Sequence, residues 1–351
     1  MVFARLSPFV RHGILVLNDK LDLRLKVLIV CQAGFGIGLG HLSRSLVIAN
    51  TLSARFKADV HFLIQGSSIN RDDLKMYSHQ FVTSNQELEW KISEQGSANI
   101  VFIDLHPQRV PLELGRTINL MHKAGAKVVA IDGLMKFRSE LDLIFIPSFH
   151  FNLPADLIKG APVVFGWDCF LLDPLKSRSN WSHGLRVLAL SGGSDATDLG
   201  ENWPSLLNQS LPVGSELHWV TGPFAQKPHL PSSNRINIVE HTAPAGLRPL
   251  MQQANYAVTV FGVSFFELLY LGVPTVVFSP YAAKDTEIIK AIEKLGIALV
   301  AENERDATDR LKKLMTNHEL SLQLSTQAQK QLCVSGVERL CIEITRLMDC
   351  S

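Results

Sequence analysis

The sequence predicts an α/β protein made of two Rossmann-like halves, each a parallel sheet covered on both faces by helices. Three observations carry this reading. Short, continuously apolar runs alternate with stretches of helical spacing through the first half. The same alternation restarts near residue 186. In each half an early strand runs directly into a glycine-rich turn. A length of 351 residues is long for one core and ordinary for two domains. The expected boundaries are 1–170, 171–335 and a closing helix at 336–351.

Residues 1–22 carry Arg5, Arg11 and His12 between apolar pieces too broken for a signal peptide, so they form a short extra helix or an irregular start. The first strand is Lys26-Val27-Leu28-Ile29-Val30-Cys31, followed by Gly34-Phe35-Gly36-Ile37-Gly38-Leu39-Gly40. A helix over about 41–55 comes next, its apolar residues at helical spacing. Gly38 and Gly40 let a ligand approach the backbone, and the helix start offers N–H groups and a positive dipole end to an anion. His41 opens that helix and Arg44 shares its face one turn on. His41 is therefore either a capping residue in a glycine turn or a group placed beside a bound anion. Arg44 either neutralises charge there or pairs on the surface.

Neither common nucleotide motif fits this loop. A dinucleotide fingerprint wants an acidic residue closing the second strand, but Val60–Ile64 ends in Gln65-Gly66 and Asp59 opens it. A P-loop wants Gly-Lys-Ser/Thr, where this chain has Gly40-His41.

Further strands are predicted at 59–64, 99–104, 126–131 and 142–146, with a helix at about 109–123. Asp104 and Asp132 each close an apolar strand, which places them at the carboxyl edge where open α/β sheets bind ligands. His106 belongs to the same edge, as a solvated loop histidine or as a sugar-binding or proton-transfer group. Pro154, Pro162 and the polar run Lys176-Ser177-Arg178-Ser179-Asn180 mark a domain end and its linker.

In the second half, Arg186–Leu190 is a strand followed by Ser191-Gly192-Gly193-Ser194-Asp195, a turn of phosphate-binding size. Strands near 217–220 and 236–239 follow. Tyr256–Val260 is a strand, and Gly262-Val263-Ser264 leads into a helix containing Glu267. Gly272 stops that helix before a strand ending at Phe278. Ser264 and Glu267 have the spacing of a capping box. Alternatively, the N–H groups around Gly262–Ser264 hold a diphosphate while Glu267 accepts hydrogen bonds from ribose hydroxyls. Helices at 304–315 and 320–348, the second interrupted by Gly336, complete the chain.

A hydrophobic content of 46% with 19% charged residues describes a folded, soluble chain. The net charge of +1 and the absence of a basic run give no argument for a nucleic-acid partner, so none is expected, and no apolar run reaches membrane-spanning length. Cys31, Cys169, Cys333, Cys341 and Cys350 form no CxxC pair, which suits reduced thiols in a cytoplasmic protein better than disulfides or zinc.

Three motifs in order now support a resemblance: Gly36-Ile37-Gly38-Leu39-Gly40-His41-Leu42-Ser43-Arg44, Ser191–Asp195, and Gly262–Glu267 with Leu271-Gly272-Val273-Pro274. Over residues 25–300 the chain resembles the GT-B superfamily, which implies two domains facing a central cleft and a last helix, 336–351, that crosses back to the N-terminal domain. More narrowly, it resembles the UDP-sugar hydrolase of pseudaminic-acid biosynthesis and its spore-coat polysaccharide relatives. The resemblance implies a UDP-sugar ligand, no metal, no cofactor, and His41 as the base that activates water. Nucleotide-sugar binding would then fall to Gly38, Gly40, Arg44, Gly192, Gly193, Ser194, Gly262, Ser264 and Glu267, with His41 and His106 catalytic. A histidine titrating near neutrality suits base catalysis, and helix N-termini suit a leaving diphosphate. Three positions depart from the hydrolase pattern. His106 stands where a tyrosine is expected, Asp132-Gly133 where an Asp-Asp pair is, and Lys284-Asp285 where an Asn-Gln pair follows Pro280. The function the resemblance implies is metal-independent hydrolysis that releases UDP from a UDP-linked deoxyamino sugar of the pseudaminic-acid-pathway type. The alternatives are a GT-B glycosyltransferase of surface polysaccharide or glycoprotein synthesis, and a non-catalytic nucleotide-sugar-binding protein.

Overall fold

The structure, a computed structural model, describes residues 24–152, 159–174, 180–195, 197–232, 235–279 and 282–349. The expected start at 1–22, Pro154, the linker residues Lys176–Ser179, Pro280 and Cys350 lie outside the described residues.

The chain divides into two compact units. One comprises residues up to Gln32, His41–Leu171 and the chain from Gly336 onward; the other comprises Ala33–Gly40 and Leu172–Ser335. Each contains one wholly parallel sheet, as continuously apolar strands require when both faces are covered.

The first sheet is built from β1 (Lys26–Ala33), β2 (Asp59–Gly66), β3 (Ser78–Val82), β4 (Ile100–Asp104), β5 (Lys127–Ile131), β6 (Leu143–Ile146) and β7 (Val163–Phe165). Their spatial order is β3-β2-β1-β4-β5-β6-β7. Val27–Cys31 pairs in register with Ile100–Asp104, so the ends of β1 and β4 lie side by side. Sequence order reverses between those two strands, and such a switch point leaves a crevice at the carboxyl edge. Helix α1 (Gly40–Phe56) returns from β1 with Leu42, Ser45, Leu46, Ala49 and Leu52 buried, spacings that form one helical face. Helices α2 (Asn85–Glu94) and α3 (Leu114–Lys123) cover the sheet elsewhere.

The second sheet contains β8 (Arg186–Leu190), β9 (Glu216–Thr221), β10 (Asn237–Thr242), β11 (Tyr256–Val260), β12 (Thr275–Phe278) and β13 (Leu299–Val300), in the order β10-β9-β8-β11-β12-β13. Its switch point is at β8 and β11, paired through Leu190 and Thr259. Helices α4 (Trp203–Ser210), α5 (Arg248–Gln253), α6 (Val263–Leu271), α7 (Ala282–Leu295), α8 (Glu304–Thr316) and α9 (His318–Gln331) belong to this unit. In its core Trp203 meets both Trp219 and Phe278 edge-on.

The final helix, α10 (Val337–Asp349), belongs to the first unit, where Glu338 pairs with Arg55. It is entered through Gly336, whose N–H donates to the Phe170 carbonyl at 2.7 Å. A Cβ at Gly336 would stand 2.3 Å from the Cys169 carbonyl carbon, so the close approach requires glycine.

Several elements differ from the sequence expectation. The helix expected from 109 starts at Leu114, because Val110 precedes Pro111 and is held extended (φ −76°, ψ 132°). Strand β3 went unpredicted: it is an edge strand, half exposed and polar, without the apolar run that identifies its buried neighbours. A capping interaction of the Ser-x-x-Glu kind occurs at α2, where the Ser84 hydroxyl accepts from the Glu87 N–H and Glu87 accepts from the Thr83 N–H. Ser264 and Glu267 do not occupy the N-cap and N3 positions that the capping-box reading needs. The chain leaves β11 extended, Gly262 is the N-cap of α6, and Ser264 already lies inside the first turn.

Candidate functional site

The first unit gathers four charged or titratable side chains at the switch point of its sheet. Helix α1 supplies His41 and Arg44 from its first turn, β4 ends in Asp104, and Asp132 follows β5. His41 Nδ1 lies 2.6 Å from Asp104 Oδ1. Arg44 grips the same carboxylate through two nitrogens, Nε to Oδ2 at 2.6 Å and Nη2 to Oδ1 at 2.5 Å, and reaches Asp132 Oδ2 with Nη1 at 2.6 Å. Asp104 is fully buried and Arg44 is 7% exposed. Arg44 is thus a buried bidentate partner, which removes the surface-pair reading.

The geometry determines the proton arrangement. Asp104 accepts from His41, so the imidazole proton sits on Nδ1 and Nε2 carries the lone pair. Arg44 Nη2 lies 3.0 Å from that same Nδ1, but two donors cannot bond each other, so this approach reflects their shared carboxylate. Burial alone would raise the pKa of Asp104. The charges of Arg44 and His41 outweigh burial, and their hydrogen bonds add to the effect, holding Asp104 at about 2. Burial likewise works against the Arg44 charge, yet Asp104 and Asp132 push its pKa further up. The result is a locked carboxylate behind a histidine whose second nitrogen can take a proton.

Gln32, one residue from the end of β1, supports the next loop. It is fully buried, donates to Gln65 Oε1 at 2.6 Å, and accepts from the His106 N–H at 2.7 Å. His106 is half-buried and its Nδ1 accepts from the Gln108 N–H at 3.3 Å, capping the turn Pro107–Arg109. It caps this turn at the carboxyl edge while staying partly exposed. Gln32 was legible only as a polar residue closing an apolar strand. Asp104 and Asp132 were legible as strand-end carboxylates, but their bonds to His41 and Arg44 were not.

The remaining expected residues lie in the second unit or in the loop before α1. Gly38, in the left-handed region at φ 77°, and Gly40 bracket the entry to α1, whose first residue is Gly40. Gly192, Gly193 and Ser194 form the turn after β8; Gly262, Ser264 and Glu267 begin α6 after the adjacent β11. The second sheet therefore brings these two sets to one edge, where a Cβ on Gly192 would lie 3.5 Å from a Val260 methyl carbon. The turn also packs against the end of β9. The Gly193 carbonyl accepts from the Phe224 N–H, and a Cβ on Gly222 would fall 2.4 Å from that carbonyl oxygen. Asp195 accepts from the Leu199 and Gly200 N–H groups at 3.0 and 2.8 Å. Burial raises its pKa against those two bonds.

The sequence matches no known protein family and no curated relative. Solved structures share its fold. Phytolacca americana UGT2, complexed with UDP-2-fluoro-glucose and pterostilbene, superposes with a TM-score of 0.63 at 12% identity, covering 93% of this chain and 100% of that one. Acinetobacter baumannii MurG gives 0.61 at 17% identity, with coverages of 92% and 99%. A UDP-N-acetylglucosamine 2-epimerase of Listeria monocytogenes, so described provisionally, gives 0.60 at 11%, with coverages of 93% and 97%. The architecture is that of the GT-B proteins. Among the described residues, no helix is long and apolar enough to cross a membrane.

Proposed function

We propose that the protein is an enzyme, a GT-B glycosyltransferase that moves a glycosyl group from a UDP-sugar to a hydroxyl acceptor. The observation that carries this reading is the His41–Asp104 pair, its carboxylate clamped by Arg44. His41 Nε2 takes the proton of the acceptor hydroxyl as that oxygen bonds to the anomeric carbon. The bond from this carbon to the diphosphate oxygen breaks, and UDP leaves with the electron pair. Asp104 stabilises the imidazolium formed on the way, a role that its low pKa suits. The turn after β8 and the start of α6 take the diphosphate, whose charge is met by backbone N–H groups. In this assignment Gly192, Gly193, Ser194, Gly262, Ser264 and Glu267 belong to the donor, and Gly38, Gly40 and Arg44 to the loop and helix that present His41.

The UDP preference draws support from neighbours described with UDP or a UDP-sugar. Other neighbours are described as glycosyltransferases, and one as an epimerase. Hydrolysis, the sequence expectation, has no counterpart among them, so water is the less favoured acceptor.

The test is UDP release from a panel of UDP-sugars, with and without sugar and phenolic acceptors, for wild type and His41→Ala. Release should require an acceptor and fall about 10²–10⁴-fold in the variant, the usual worth of a positioned base. Release without acceptor would make the protein a hydrolase. UDP binding with no release under any condition would make it a binding protein, and absence of UDP binding would sink the nucleotide-sugar reading.

A further inference from the structure

Asp132 is the member of the cluster that nothing so far accounts for. Its carboxylate touches Arg44 through Oδ2 alone, and its side chain is 40% exposed where that of Asp104 is 1% exposed. Its backbone is left-handed, φ 59°, a conformation that suits glycine, and the next residue is glycine. The backbone is held there, because the Asp132 N–H donates to the Phe145 carbonyl of β6 at 2.9 Å. Lys57, Leu134, Asp195, Asp198 and Ala243 share the left-handed region, and the two aspartates among them have a local reason. Asp195 caps the Leu199–Glu201 turn with its carboxylate, and Asp198 is that turn's first flanking residue. Asp132 makes no such bond. Its conformation delivers a half-exposed carboxylate to the edge where His41 sits, and backbone strain of this kind accumulates where function needs it.

Charge narrows what this carboxylate can meet. Asp132 sets a second carboxylate beside that of Asp104 around the single guanidinium of Arg44. An anionic group brought to the exposed oxygen would be repelled, while a hydroxyl would donate to it and gain a charge-assisted bond.

Resting on the nucleotide-sugar reading above, we propose that Asp132 is a substrate-binding residue whose exposed oxygen accepts a hydrogen bond from a hydroxyl of an uncharged glycosyl group and selects against an anionic one. Three probes test this by calorimetry: UDP, UDP-glucose and UDP-glucuronate, each titrated into wild type, Asp132→Asn and Asp132→Gly, with a melting curve for every protein. Wild type should favour UDP-glucose over UDP-glucuronate by about tenfold or more, the worth of one hydrogen bond to a charged group. Both variants should lose that preference while holding UDP as wild type does. Asp132→Gly should melt within a few degrees of wild type, since glycine suits the left-handed backbone and offsets part of the lost bond to Arg44.

An unchanged preference in both variants overturns the proposal. So does a large loss of melting temperature and of UDP affinity in both, which would make Asp132 a structural post. If wild type binds none of the three probes, the nucleotide-sugar reading falls and takes this proposal with it; in the other failures UDP still binds wild type.

Discussion

Asp104→Asn tests the central constellation most directly, because it removes one charge and almost no volume. In the folded protein Asp104 titrates at about 2, against an ordinary value of 3.8. A depression of that size corresponds to about 2 kcal/mol of stability. The sign follows from linkage. A carboxylate with a lowered folded pKa contributes fully above its unfolded pKa, near 4, and loses that contribution as pH falls toward 2. Substitution also leaves Arg44 buried with one carboxylate partner in place of two. Breaking a buried pair outright costs about 3–5 kcal/mol, and the surviving bond to Asp132 lowers the expected loss to about 2–4 kcal/mol. For a unit of this size that is a fall of roughly 5–15 °C in melting temperature at pH 7. Turnover should fall by about 10²–10⁴-fold, because an amide can donate to Nδ1 and so favour the wrong imidazole tautomer. The assays are thermal melts at pH 7 and at pH 2–3, with UDP release at pH 7. The gap between wild type and variant should narrow at the lower pH. A variant that melts within a degree of wild type at pH 7 and turns over normally would refute the argument.

Three further expectations accompany it. Arg44→Lys keeps the charge but loses the fork that holds both oxygens of Asp104, so stability should drop by about 1–3 kcal/mol in urea titrations; a neutral result would mean the bidentate geometry is idle. Gly222→Ala would press a methyl against the Gly193 carbonyl, 2.4 Å away, and should destabilise the second unit by about 2 kcal/mol or more while weakening UDP binding. Unaltered melting and UDP affinity would show that the turn after β8 is free to move. His41→Ala, by contrast, removes a side chain that is 15% exposed, so activity should fall about 10²–10⁴-fold with little change in melting temperature. A large loss of stability there would mark His41 as structural.

Much of this molecule could be read from the order of its residues. Two parallel-sheet units follow from apolar strands alternating with helices, because a strand buried on both faces needs no polar alternation. The glycine turns fell at the switch points of both sheets, and Asp104 and Asp132 at strand ends, since strand boundaries are marked locally by turn residues. Local chemistry misled where two elements share one signature. Ser264 and Glu267 have the spacing of a capping box, but the angle at which the chain leaves β11 made Gly262 the cap.

What the sequence could not supply was partnership. His41 meets Asp104 across 63 residues, and Arg44 meets Asp132 across 88. Those bonds exist because β1 lies beside β4 and not between β2 and β3, an arrangement decided by crossover connections and helix packing over the whole first unit. The burial that turns Arg44 from an apparent surface residue into a clamp, and the left-handed backbone of Asp132, arise from the same packing. Sequence by itself determined which groups reach the carboxyl edge; only the tertiary structure decided which of them touch.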